Sequence, residues 1–496
     1  MKPHHRFVST ALLALALPTF HLHAQSPKPS DDPFLKKPAD ATAAGAVGNE
    51  RWAQPILILE VYALDQTDAH EIMEVERGNA ARYLRVLALQ KNGKARLETL
   101  TAMNAKSGQR SVSESSDEVR YPTEFNPSSG KNAIAAPTAW AVRNAGDSLE
   151  VELVIGPDGR TIDVNLVPQR VSLVEFRDAA GMAGDHGVSQ PVFRTQKVTT
   201  STSLIAGAPH TLGTFSPATD RTLEQAEGAR EVWLAFLRAN IASPSAQQLQ
   251  PRAKPLDWSA LHFDYTFISL DRRDAREVAT AQPALDEPWE RMQALLREKK
   301  ARLEGVVSLA TKSGQRALTE SVRELRLASE YETPAKASSG ETTRHTSTTR
   351  PGSDKTQKPQ PVDPGKIIEV EETTTVTRTE ANAETTPGYA TAFETRKTGI
   401  TVEMEPVVGP DGLSMDLNQV VTMTTHLGAL QTTGVAARYP AQPLFETRKI
   451  TASQSLLAET HQLVGTLNPP GADGVNGRAD DGRTWLVFVR VTPNEP

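Results

Sequence analysis

Leu64–Glu71 reads LDQTDAHE, and Leu270–Glu277 reads LDRRDARE. Working outward from these octapeptides, KARLE begins at Lys94 and again at Lys300, and KSGQR at Lys106 and again at Lys312. All three pairs stand 206 positions apart. Agreement on one spacing without a gap marks a duplicated unit, and a repeat governs every later reading of the fold.

The correspondence continues beyond these motifs. Gly156-Pro157-Asp158-Gly159 returns as Gly409-Pro410-Asp411-Gly412. QPVFRTQKVTTSTSLIAGAPHTLGTF from Gln190 parallels QPLFETRKITASQSLLAETHQLVGTL from Gln442, and WLAFLR from Trp233 parallels WLVFVR from Trp485, both pairs at a spacing of 252. The second copy therefore carries an insertion, seated at 334–387. TRHTSTTRPGSDKTQKPQPVDPG at its heart has too little apolar surface to fold alone. The reading is a signal peptide at 1–24, a disordered linker at 25–50, repeat 1 at 51–241, a linker at 242–256, and repeat 2 at 257–496 with the disordered insertion 334–387. Two compact bodies framed by flexible segments are expected.

Composition agrees with several small cores. The chain has 496 residues, 38% hydrophobic and only 5% aromatic, with 34 Pro and 31 Gly. A single core stops growing near ~250 residues, and this much Pro and Gly argues for many turns. Lys2 and Arg6 precede an apolar run from Phe7 to Phe20, with Ala24 ahead of a polar, Pro-rich stretch. That is the pattern of a secretory signal peptide, since the run is shorter than the ~20 residues a bilayer span needs. Cleavage after Ala24 takes the formal charge from −6 to −8, which disfavours a nucleic-acid partner. With 0 Cys there is no disulfide, no thiolate metal site and no acceptor for a lipoprotein anchor. Location in the periplasm or against the outer membrane is expected, with no transmembrane helix in the mature chain.

The fold class read from the pattern is α+β, predominantly antiparallel β, as two tandem repeats each with one helix packed on β-hairpins. Strands are expected at Ile56–Leu64 and His262–Leu270. Asp68 and Asp274 then stand as helix N-caps. Met292, Leu295, Leu296 and Lys299 keep helical spacing in the second copy, and Ala81, Leu84, Val86 and Leu87 in the first. After KARLE the period switches to two, and KSGQR supplies a glycine turn into a returning strand, so a hairpin is expected there. GPDG is a turn of the same kind, with Pro preset for it and Gly free to take positive φ. Leu149, Val151, Leu153 and Ile155 share one face before it, and Ile162, Val164 and Leu166 continue after it; one buried and one wet face is antiparallel behaviour. Closing strands are read at Val192–Leu204 and Val232–Ile241, repeated at Leu444–Leu456 and Trp485–Val491.

The succession of an SGQ hairpin, VEMEPVVGPDGLSMDLNQV, QPLFETRKITASQSLL and a final TWLVFVRVTP resembles the core domain of secretins. Thr311–Ala317 (TKSGQRA) and Tyr121–Phe125 (YPTEF) strengthen the resemblance, which covers both copies. It implies kinship with the outer-membrane ring channels of type II and type III secretion systems and type IV pili. Two departures count against a working pore. The hairpin expected after the R-x-V-T-T strand is reduced to Ala208–Gly213 and Glu459–Gly465, and the V-P-x-L-G gate segment is absent from both copies. Nor is there a clear excess of apolar-out alternation over ~10 residues, as a membrane barrel requires. The expected function is a non-catalytic envelope protein, a degenerate secretin-like scaffold acting through strand edges on itself or on envelope proteins. The alternatives are a genuine secretin channel, and a periplasmic binding protein or hydrolase with an unrecognised site.

Chemical candidates are few. The mature histidines form no H-E-x-x-H and no pair at ligand spacing, so neither metal nor cofactor is expected. Asp65, Asp68, His70 and Glu71 form the densest polar cluster, but Arg276 replaces His70 in the repeat, and a capped helix start explains it better than a cation site. Ser128–Lys131 fits S-x-x-K and Lys397–Gly399 fits K-T-G, but no S-x-N or Y-x-N lies between them, and the first sits in a Pro/Ser/Gly loop. The residues singled out for structure or interaction are the hairpin tips Lys106, Ser107, Gly108, Gln109, Arg110 and Lys312, Ser313, Gly314, Gln315, Arg316. The GPDG turns, Gly156, Pro157, Asp158, Gly159 and Gly409, Pro410, Asp411, Gly412, join them. Arg110 and Arg316 stand ready for an acidic partner or for solvent. Trp233 and Trp485 read as packing anchors rather than ligand platforms.

Overall fold

In the computed structural model the described residues are 54–126, 136–178, 188–215, 231–245, 248–250, 256–281, 284–332, 389–430, 440–469 and 482–494. The signal-peptide, N-terminal linker and insertion readings lie outside them, as does Ser128–Lys131.

Strand β1 (Gln54–Asp65) is buried at nearly every position because it has a layer on each side. Ile56, Ile58, Tyr62 and Leu64 face a helical layer, while Leu57, Leu59 and Val61 face a second sheet. Helices α1 (Gln66–Val75) and α2 (Asn79–Lys91) follow, then β2 (Ala95–Asn104), which returns to pair antiparallel with β1. The chain next enters the second sheet through β3 (Arg110–Asn126), β4 (Ala136–Ile155), β5 (Thr161–Asp178), β6 (Ser189–Lys197) and β7 (Thr200–Ile205). It comes back to the first sheet with β8 (His210–Phe215) and β9 (Glu231–Ala242).

The same succession then follows in β10 (Asp257–Asp271), α3 (Arg272–Thr280), α4 (Glu287–Arg297), β11 (Ala301–Thr311), β12 (Ala317–Glu332), β13 (Tyr389–Val408), β14 (Ser414–Ala429), β15 (Pro443–Leu457), β16 (Gln462–Thr466) and β17 (Arg483–Asn494). One uninterrupted β15 stands where the first half has β6 and β7.

The two halves are not separate bodies, which corrects the expectation of two domains joined by a linker. Residues Trp52–Pro496 form one compact unit. One sheet runs β11-β10-β17-β16-β2-β1-β9-β8, and the other β12-β13-β14-β15-β3-β4-β5-β6, with β7 also on β5. Strands of the second half thus continue both sheets of the first. The helices α1 to α4 cover one face of the first sheet in a single core that joins Tyr62, Tyr83 and Leu97 to Ile268, Met292 and Phe488. Its other face packs on the second sheet through two cores, one per half. The linker does not stand clear either: Leu249 packs against the helical-layer core, and Ser243 bridges Ala284.

Several local expectations need correction. Among the described residues each half has two helices rather than one, because the chain breaks at Gly78 (φ 93°) in the first and at Ala281 in the second. The N-caps are Asp65 and Asp271, whose carboxylates accept from the Thr67 and Arg273 amides at 2.7 and 2.8 Å. Asp68 and Asp274 lie one turn inside, where a carboxylate favours the helix dipole. The buried face of α2 is Tyr83, Val86 and Leu89, with Leu84 exposed, and Lys299 stands beyond α4 at φ 59°.

KSGQR is not a hairpin turn. β2 and β3 belong to different sheets, so Lys106–Gln109 is a corner between layers. The Gly108 amide donates to the Leu153 carbonyl at 2.7 Å, and Ser107 Oγ accepts from the Ile155 amide at 3.0 Å, tying the corner to the end of β4. The second copy does the same with Gly314 on Pro406 and Ser313 on Val408. Period-two patterning cannot separate a corner from a hairpin, since both need a positive-φ glycine after a strand. GPDG is a hairpin turn, closing β4 on β5 and β13 on β14.

Candidate interaction surface

The halves meet at a joint that the repeat spacing lets one compare residue by residue. In the second sheet β15 pairs with β3 from Phe445↔Glu118 to Thr451↔Val112. In the first sheet β16 meets β2 at Gly465↔Met103. A Cβ at Gly465 would lie 2.7 Å from the Ala102 carbonyl oxygen, so glycine is what permits this approach. Thr466 Oγ1 then accepts from the Ala102 amide at 3.1 Å and donates to its carbonyl at 3.3 Å.

Charge fixes the same joint. Glu118 is held by Arg396 and by the Thr447 hydroxyl at 2.7 Å, while Arg396 also donates to Thr447 at 3.2 Å. Lys106 reaches Asp416 at 2.7 Å, and its amide donates to the Ser453 carbonyl at 2.9 Å. In the helical layer Arg276 of α3 crosses to Glu60 of β1, which also accepts from Tyr83 at 2.7 Å and Tyr62 at 3.3 Å. Glu60 is 1% exposed. Burial works against the Arg276 charge, but Glu60, Tyr62 and Tyr83 together outweigh it and its pKa rises; burial, then Glu60, pushes the Tyr62 and Tyr83 hydroxyls up as well.

The outer edges carry the counterparts of these groups, unpaired with any strand among the described residues. β11 and β12 end the two sheets on one side; β8, with β6 and β7, ends them on the other. Leu100 at the joint is fully buried, whereas its counterpart Val306 is 58% exposed. Leu457 is 4% exposed and its counterpart Ile205 45%. Leu318, counterpart of the half-buried Val112, is 56% exposed.

The residues singled out from sequence divide accordingly. Lys106 serves the joint. Arg110 and Arg316 pair with Glu150 and Glu403 of their own halves. Gln109 and Gln315 amides close the corners on the Lys106 and Lys312 carbonyls. In the turn Gly156–Gly159, Asp158 accepts from the Arg160 and Thr161 amides and the Thr161 hydroxyl, bonds that pull its pKa down to about 2. Asp411 does the same in Gly409–Gly412 for Leu413 and Ser414. Pro157 and Pro410 occupy the turns, with Gly159 and Gly412 at φ 61° and 64°. Sequence reading missed Glu118, Arg396, Thr447 and Thr466; their signal was the repeat itself, since all four have identical counterparts in Glu324, Arg143, Thr195 and Thr214.

The cleft lined by Leu59, Thr99, Asp147, Arg170, Phe215 and Trp233 encloses about 30 Å³, room for a water or two. Arg170 lies 4.7 Å over the Trp233 ring there, and Arg448 lies 4.6 Å over Trp485 in the second half. Asp65 caps α1 and Glu71 pairs with Arg85 at 3.2 Å, and among the described residues no three His, Asp or Glu converge on a metal position. Lys397 pairs with Glu320, and Gly399 lies inside β13. No helix among the described residues is long and apolar enough to cross a membrane.

The fold thus defines a class: three layers, helices on sheet on sheet, with two like halves continuing both sheets head to tail. Comparison with known proteins adds little. No family model and no curated protein matches the chain. Among solved structures, Aeromonas hydrophila ExeD aligns at 11% identity and a TM-score of 0.19 over 39% of this chain, spanning 49% of its own. The InvG secretin domain β-barrel from the Salmonella SPI-1 injectisome aligns at 9% identity and 0.21, over 66% of this chain and 88% of its own. Similarity this low establishes neither family nor function.

Proposed function

We propose that this chain is a non-catalytic cell-envelope scaffold, made of two degenerate copies of a secretin-like domain, that works through its sheet edges on itself or on other envelope proteins. The observation that carries the reading is the pair of two-sheet edges left open, among the described residues, at either side of a joint that runs through both sheets. Exposed strands with apolar side chains are templates for further strand pairing. The export pattern at 1–24 and the order of the secretin-like motifs support a location in the periplasm or against the outer membrane, and the reading calls for neither cofactor nor nucleic acid.

Envelope fractionation with sizing of the mature chain tests this. A chain recovered with the envelope, in assemblies that lose their partners when the edge strands are altered, is the expected result. Recovery as an isolated cytoplasmic monomer refutes it, and a detergent-resistant assembly that conducts in a planar bilayer replaces the scaffold by a channel.

A further inference from the structure

We propose that the partner at these edges is a second copy of this chain, docked head to tail so that β11 and β12 of one molecule lie against β8 and β6–β7 of the next. This rests on the scaffold reading and names its partner. The joint inside the chain is the template: β16 and β15 of the second half lie against β2 and β3 of the first. The free edge at β8 and β6–β7 is the first half's version of β16 and β15, and the free edge at β11 and β12 is the second half's version of β2 and β3. Each molecule therefore carries both faces of a joint it already uses once. An interface between unlike faces propagates from chain to chain.

The side chains that close the internal joint are duplicated on these faces and stand without their partners. Arg143 repeats Arg396, donating to Thr195 at 3.3 Å and stacking over Phe193 at 5.1 Å, as Arg396 does with Thr447 and with Phe445 at 5.8 Å. What Arg396 has and Arg143 lacks is Glu118. Its counterpart Glu324 is exposed on β12, at the opposite edge of the molecule. Likewise Lys106 binds Asp416, while their counterparts Lys312 and Asp163 are both exposed at opposite edges. Asp163 is already oriented by Ser203 at 2.5 Å, as Asp416 is by Ser455 at 2.7 Å. Gly213 and Thr214 repeat Gly465 and Thr466, the pair that lets β16 approach β2 and bridge to it.

Transferring the internal register places Phe193 opposite Glu324 and Thr199 opposite Leu318 of the next chain. Thr195 then faces Val322, and Lys197 faces Glu320. Two features make the joint between chains weaker than the one within. Arg194 falls opposite Arg323, and the Glu60–Arg276 ion pair is replaced by Thr266 and His70, lost together so that neither leaves a lone charge.

The mature chain, which has no cysteine of its own, allows a direct test in isolated envelopes and with purified protein. Thr195→Cys and Val322→Cys chains are expected to form a disulfide-linked dimer when mixed and none when either is alone. Glu324→Arg and Arg143→Glu, each alone, are expected to weaken association about tenfold in sedimentation velocity, with the double variant restored, since a pair desolvated at an interface accounts for ~1.4 kcal/mol. Dimers of either cysteine variant with itself, or no recovery in the charge swap, overturn the head-to-tail joint. Cross-linking of both edges only to a different envelope protein overturns the self-partner and leaves the scaffold standing. A chain that cross-links to nothing and fractionates away from the envelope overturns both.

Discussion

Arg276→Ala removes the only ion-pair partner that Glu60 has among the described residues, and does so where water cannot substitute. Glu60 is 1% exposed, and the Arg276 side chain 19%. Breaking a buried pair from one side costs about 3–5 kcal/mol, because the remaining charge stays desolvated. Here the lower end applies, since Tyr62 and Tyr83 still donate to the carboxylate and Arg276 is partly solvated. About 3 kcal/mol is therefore expected from guanidinium unfolding, or a fall in Tm of about 4 °C for a unit of this size. Because the pair joins α3 of one half to β1 of the other, amide exchange should rise at β2 and β16 before the outer strands. Glu60→Gln added to Arg276→Ala removes the orphaned charge and should recover more than about 1 kcal/mol, a coupling that a double-mutant cycle reads directly. A loss below about 1 kcal/mol for the single variant, or strict additivity, refutes the idea that this pair clamps the halves.

Gly465→Ala should open the first sheet at its joint, with a loss of about 1–3 kcal/mol from the collision with the Ala102 carbonyl and faster exchange of the Ala102 amide; wild-type exchange would disprove it. His461 is stacked on Trp289 at 4.0 Å, and burial, then Arg490, lower its pKa to about 4 against the opposing pull of Asp264. The unfolded chain takes up that proton first, so stability should fall as pH drops from about 6.5 towards 4, and His461→Phe should flatten that part of a Tm–pH curve. Asp158 is depressed to about 2, so its contribution is present above about 3.8 and is lost as pH falls through 2; Asp158→Ala should raise exchange at the Arg160 and Thr161 amides. An unchanged exchange pattern there would mean the turn is held by Pro157 and Gly159 alone.

Much of this was legible in the chain itself. Identical motifs at one spacing announce a doubled unit. GPDG requires a turn because Pro presets one dihedral and Gly admits positive φ, and strand alternation around it follows from one face being buried. The helix starts were legible to within a turn, the error arising because two aspartates three residues apart are both suited to a helix N-terminus. The groups of the joint were present as repeated Glu, Arg and Thr, but nothing in their spacing says that Glu118 binds Arg396 rather than Arg143.

That choice belongs to the tertiary structure. Local sequence dictates turns and caps, because their hydrogen bonds close within a few residues. Whether KSGQR ends a hairpin or turns a corner depends on which distant strand takes the Gly108 amide, here Leu153. Whether two like units stay apart or share sheets depends on which edges find partners. Matching motifs occur on both faces of one joint, and the fold uses each face once, leaving their counterparts on the outside.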